Sequence, residues 1–91
     1  MVKTWKDEII ETLEELLKDD LKRFKSKLHD IRLEEGHQNI PRGRLENADA
    51  IDIVELVSGY YGEQRAGPVV VRVLKAINQM ELAARLENTF S

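Results

Sequence analysis

The side chains in this sequence whose types and spacing could do chemistry are charged, and they fall in blocks. Residues 1–20 carry three bases and seven acids, and residues 21–44 carry seven bases and three acids. Residues 45–63 carry five acids and no base, and residues 64–91 carry four bases and two acids. The net charge of −3 therefore hides alternating blocks of −4, +4, −5 and +2. Patches of opposite sign on different faces of one small body cannot satisfy each other within a molecule. They can between molecules, and a head-to-tail contact of that kind propagates as an open helix unless rotation closes a ring. The chemistry implied is electrostatic recognition of copies of itself.

Bond-making chemistry has no comparable footing. The chain has no cysteine. That removes disulfides, thiolate metal sites and a cysteine nucleophile, and it fits a reducing cytoplasm. His29 and His37 stand eight residues apart without a metal-ligand pattern. Ser26, Ser58 and Ser91 lack a nucleophile context. Glu14 and Glu15 point to different sides of a helix rather than forming an acid–base couple. Gly36 and Gly43 do not form a phosphate-binding loop. No enzymatic activity, small-molecule substrate, cofactor or metal is expected. The alternative binding reading is a small helical nucleic-acid-binding domain built on the basic run Lys22–Lys27 with Phe24 inside it. Phe24 fits better as core, because it lies in a stripe with Leu21 and Leu28, and the acidic blocks would repel phosphates. The apolar run Val69–Val71 is as long as any in the chain, far short of a membrane span. Met1–Trp5 lacks the apolar stretch of a signal peptide.

Ninety-one residues, 42% apolar and 34% charged, make one globular domain over residues 1–91. Thr4 followed by Asp7 reads as an N-cap with an acidic partner. Trp5, Ile9, Ile10, Leu13, Leu16 and Leu17 then recur at helical spacing, which predicts a first helix over about 4–17. Asp19 or Asp20 can cap a second helix over about 20–31, carrying Leu21, Phe24, Leu28 and Ile31 inside and a basic surface outside. Residues 32–40 read as a loop. Pro41 and Gly43 limit a third helix to a turn or so near 42–47. Asn47 or Asp49 can cap a fourth, which carries Ala50, Ile51, Ile53, Val54 and Val57 and closes at Gly62. Gly67-Pro68 opens a fifth, running to about 77. Its β-branched run Val69–Val73 could be a strand, but the apolar positions continue at helical spacing through Leu74 and Ile77, and no second strand exists to pair with it. Met80, Ala83 and Leu86 mark a short sixth helix. The fold class is all-α, a compact antiparallel bundle of six helices with a short third.

Four segments, in order and at the right spacing, resemble one known family. Glu34 to Leu45, containing Ile40-Pro41-Arg42-Gly43, resembles the loop and short third helix of pyrin domains. Leu21-Lys22-Arg23-Phe24-Lys25-Ser26-Lys27-Leu28 is similar to their second helix. Asp49-Ala50-Ile51-Asp52-Ile53 looks like the start of their fourth, and Val73-Leu74 with Met80–Leu86 like their end. The likeness covers roughly 4–87. It departs at Ser26, where some relatives have leucine, and in the glycine-rich Gly59–Gly67 stretch, which is one residue short near Glu55-Leu56.

The resemblance implies a death-fold bundle acting in inflammasome assembly and cell-death signalling in the cytoplasm. Family members build helical filaments through asymmetric contacts, the main one setting an acidic face of helices 1 and 4 against a basic face of helix 2 and the start of helix 3. Carried over by position, the acidic face is Asp7, Glu14, Asp49 and Asp52, and the basic face is Lys22, Lys27 and Arg42. The partners implied are other pyrin domains, in an adaptor, receptor or caspase, and further copies of this chain, without nucleic acid or membrane.

Overall fold

Thr4 opens the first helix, α1 (Trp5–Glu14), as the spacing anticipates. Its hydroxyl accepts the Asp7 N–H and the Asp7 carboxylate accepts the Thr4 N–H, a reciprocal cap that satisfies two otherwise orphaned donors. The computed structural model describes residues 3–31 and 39–90. Along α1, Ile9 and Leu13 are buried and Trp5 and Ile10 pack at their edge.

The helix stops short of the expected residue 17. Backbone N–H groups of Glu15 and Leu16 bond three residues back, to Thr12 and Leu13, and the chain turns. Leu16 stays buried while Leu17 is 74% exposed. Leu17, not Asp19 or Asp20, is the N-cap of α2 (Lys18–Asp30), in extended backbone and with no side-chain cap. Asp19 and Asp20 lie in the first turn of α2 instead, where negative charge is favoured by the helix dipole. Phe24 and Leu28 are the buried residues of α2.

Ile31 and Ile40 bracket the loop and are both buried. Expectations for Gly36 and His37 lie outside the described residues. Pro41 caps α3 (Arg42–Leu45), whose one buried side chain is Leu45. A turn at Glu46 and Asn47 follows, where the sequence suggests two more helical residues. Asp49, rather than Asn47, caps α4 (Ala50–Tyr61), which buries Ala50, Ile53, Val54, Val57 and Tyr61.

Gly62 has φ +87°, a backbone conformation that disfavours a side chain. It ends α4 and also begins α5 (Glu63–Ala76). Helix α5 therefore starts four residues before the Gly67-Pro68 expected to open it, and Pro68 lies inside. Gly62 absorbs the reversal of direction, so Ala66, Val69, Val70 and Val73 can fall on one buried face at three- and four-residue steps. Pro68 is exposed and forfeits one helical hydrogen bond. Gly67 is buried beneath the Phe90 ring, and a Cβ there would stand 2.7 Å from the ring's Cε2. The valine run is helical because α5 is the central element, packed against α1, α2, α4 and α6 (Met80–Phe90). Burial on that scale outweighs the small helix penalty of β-branched residues. Asn78, at φ +65°, makes the turn into α6. The described residues hold six helices and no strand, the all-α bundle with a short third helix expected from the sequence.

Candidate interaction surfaces

Helices α1 and α4 pack on each other, and α2 packs on α3. Helices from the first and third charge blocks of the sequence thus pack together, and so do the helices that hold most of the second block. Asp7, Glu14, Asp49 and Asp52 are all exposed on the first pair. Lys22, Lys27 and Arg42 are all exposed on the second.

Three of the four acids have a second task. Asp7 is half of the α1 cap. Asp49 Oδ1 accepts the Asp52 N–H at 2.9 Å, and Asp52 Oδ2 accepts the Asp49 N–H at 3.3 Å. Each of these carboxylates spends one oxygen on the backbone, which restrains the side chain and reduces the entropy it has to lose on contact. Glu14, the last residue of α1, has no ion-pair partner among the described residues. Lys6 crosses from α1 to α4, its ammonium 3.4 Å from Glu55 Oε1 and 5.6 Å from the centre of the Trp5 ring. That pair neutralises one acid of the surface and ties the two helices together.

On the opposite pair, Lys22 and Arg42 border one groove of about 420 Å³ between α2 and α3, with Lys25, Ser26, Leu45 and Glu46. Lys25 donates from Nζ to the Glu46 carbonyl at 3.3 Å, bridging α2 to the end of α3. Lys27 is exposed on α2 but is not part of the groove lining. Neither Lys22, Lys27 nor Arg42 has an ion-pair partner among the described residues. A second groove runs between α3 and the first turns of α4, bringing Arg44 near Asp52 and Glu55.

The approach to α3 is fixed from behind. His29 Nδ1 donates to the Ile40 carbonyl at 2.9 Å, and the Asn39 side-chain amide donates to the Ile31 carbonyl. His29 is half-buried and holds the segment entering Pro41. Its local sequence carries no signal of that role, because the acceptor lies eleven residues away. Buried Tyr61 lies beside the Ile40 backbone. Burial pushes its phenol above its ordinary pKa, and the backbone of Ile40 partly opposes this.

Other charges are paired at home. Arg85 of α6 grips Glu15 with Nη1 and Nη2, at 3.1 and 3.0 Å, and that pairing holds the Arg85 proton more tightly than usual. Lys75 meets Glu87 at 3.4 Å between α5 and α6. Among the described residues, no group of three or more His, Asp or Glu side chains could hold a metal ion, and no helix is long and apolar enough to cross a membrane.

Comparison with known proteins agrees with this architecture. The family model for the PAAD/DAPIN/Pyrin domain matches residues 8–84. Pyrin of Mus musculus is 43% identical over 86 residues, which are 94% of this chain and 11% of that protein. Pyrin domain-containing protein 1 of Homo sapiens is 42% identical over 85 residues, covering 92% of this chain and 94% of that one. The solution structure of the pyrin domain of human Pyrin superposes with a TM-score of 0.85 at 37% identity, over 94% of this chain and 96% of that one. The chain spans about a tenth of the length of the Pyrin it matches.

Proposed function

Because the chain belongs to the pyrin-domain family, we propose that it is a non-enzymatic homotypic interaction module whose residues 1–91 act as one domain. It joins other pyrin domains and further copies of itself, in the cytoplasm, in inflammatory and cell-death signalling. The contact sets Asp7, Glu14, Asp49 and Asp52 of one copy against Lys22, Lys27 and Arg42 of the next. Repeated head to tail, it builds a helical filament that a different pyrin protein can seed.

One observation carries this reading. The two pairs of helices present opposite charge, three of the four acids engaged in helix caps and the bases without an acid partner among the described residues. Each exposed ion pair is weak, about 0.2–1 kcal/mol. Several per contact and several contacts per subunit must act together before assembly outweighs the entropy it loses. Assembly should therefore have a steep concentration threshold and weaken with salt, since screening acts over about 8 Å at physiological ionic strength.

The test is Lys22→Glu. Lys22 is exposed and belongs to no cap or core cluster, so the variant should unfold at the wild-type denaturant midpoint yet stay monomeric in sedimentation velocity. Wild-type assembly by this variant, or its unfolding, would remove the basis of the proposal.

A further inference from the structure

Helix α4 turns Ile53, Val54 and Val57 into the core but leaves Ile51 53% exposed. Ile51 stands on the first turn of α4 between Asp49 and Asp52, the two carboxylates locked by their reciprocal cap. An exposed branched apolar side chain flanked by fixed acids has a complement on the same molecule. The groove between α2 and α3 is lined by the methylene stems of its bases over buried Leu45, while the charged ends of Lys22, Lys25 and Arg42 surround it.

We propose that Ile51 of one copy seats in the α2–α3 groove of the next, with Asp49 and Asp52 meeting Lys22 and Arg42 around it. This rests on the head-to-tail reading above and adds an apolar centre to it. Ion pairs at the rim of a contact mainly steer and orient, whereas a desolvated apolar anchor ringed by polar groups slows dissociation. The other strongly exposed apolar residues fit less well. Leu17 follows Glu14 and Glu15, but Glu15 is already held by Arg85. Met80 is on α6, away from both acidic helices in sequence, with Glu81 as its one acidic neighbour in the chain.

The absence of cysteine permits a direct test. Ile51→Cys and Ser26→Cys chains, prepared separately and mixed under mild oxidation, should form a mixed disulfide, because the anchor brings position 51 of one copy over the groove that Ser26 lines on the next. Neither chain alone should cross-link to a comparable extent. Ile51→Ser should keep the wild-type Tm and salt slope but raise the assembly threshold about 5–10-fold. An unchanged threshold, or a mixed disulfide forming from Leu17→Cys rather than Ile51→Cys, overturns the anchor. The underlying reading fails separately, by normal assembly of Lys22→Glu. Loss of assembly in Lys22→Glu with no effect of Ile51→Ser would reject the anchor alone.

Discussion

Asp49 and Asp52 cap each other at the start of α4, carboxylate to backbone in both directions, at 2.9 and 3.3 Å. The same two carboxylates belong to the proposed acidic face. Fold and assembly therefore draw on the same atoms, and a substitution that removes charge by removing the cap measures both together. Asp49→Ala should lower stability by about 1 kcal/mol. Asp49→Asn keeps an oxygen that can cap and loses only the charge. It should hold the wild-type urea midpoint while its assembly threshold, read by light scattering, rises. Equal loss of stability in the two variants would show that the cap is not carried by the side-chain oxygen.

Leu17 and Phe24 separate core from surface among residues that share one apolar pattern. Phe24 is fully buried and Leu17 is 74% exposed. Phe24→Ala should cost about 3–5 kcal/mol in urea unfolding, and Leu28→Ala about 2–5. Leu17→Ala should change stability by less than about 0.5 kcal/mol. A large loss on truncating Leu17 would contradict its placement in the turn before α2.

That contrast shows where the sequence is readable. The α1 cap is legible because its chemistry is local: Thr4 and Asp7 lie three residues apart and need no knowledge of the rest of the chain, whereas the sequence leaves Asn47 and Asp49 open for α4 and points to Asp19 or Asp20 for α2, where Leu17 is the cap. Six helices were legible because apolar spacing persists through each one. Leu17 was not, since its spacing continues that of α1 while the backbone has already turned. The start of α5 was misplaced for the opposite reason. Gly67-Pro68 looks like punctuation, yet Gly62 makes the turn and Gly67 serves a contact with Phe90, 23 residues away. On the candidate surfaces the signs of Asp7, Glu14, Lys22 and Arg42 could be read directly. The groove joining Lys22 to Arg42 depends on how α2 packs on α3, which no local pattern encodes.

Gly67 and Phe90 should be energetically coupled. In the interior of α5, Gly→Ala alone would gain about 0.5–1 kcal/mol by restricting the unfolded chain. The new methyl would stand 2.7 and 2.9 Å from two carbons of the Phe90 ring, so the ring must move. Gly67→Ala should therefore stabilise the Phe90→Ala background by about 0.5–1 kcal/mol and gain less, or lose, in the wild type. Additive values in a thermal-unfolding cycle would mean the ring does not rest on Gly67.

Tyr61 makes stability fall at alkaline pH. Burial raises its pKa in the folded state, so above about pH 10 the unfolded chain loses the phenol proton first. The contribution is fully present below that pH and is lost as pH rises through the folded value. Tyr61→Phe should flatten this part of the curve of unfolding free energy against pH between about 9 and 11. An equal alkaline slope in the wild type and in Tyr61→Phe would assign the loss to other groups.

The central claim is that two surfaces of contrary charge meet between copies, and a charge exchange tests it most directly. Lys22→Glu and Glu14→Lys each alter one surface, and Glu14 is neither cap nor core. Each variant alone should remain monomeric by sedimentation velocity, and an equimolar mixture should form a one-to-one complex, because the unaltered acidic surface of Lys22→Glu meets the unaltered basic surface of Glu14→Lys. Assembly of either variant alone at the wild-type threshold, or a mixture as inert as its components, would contradict the account.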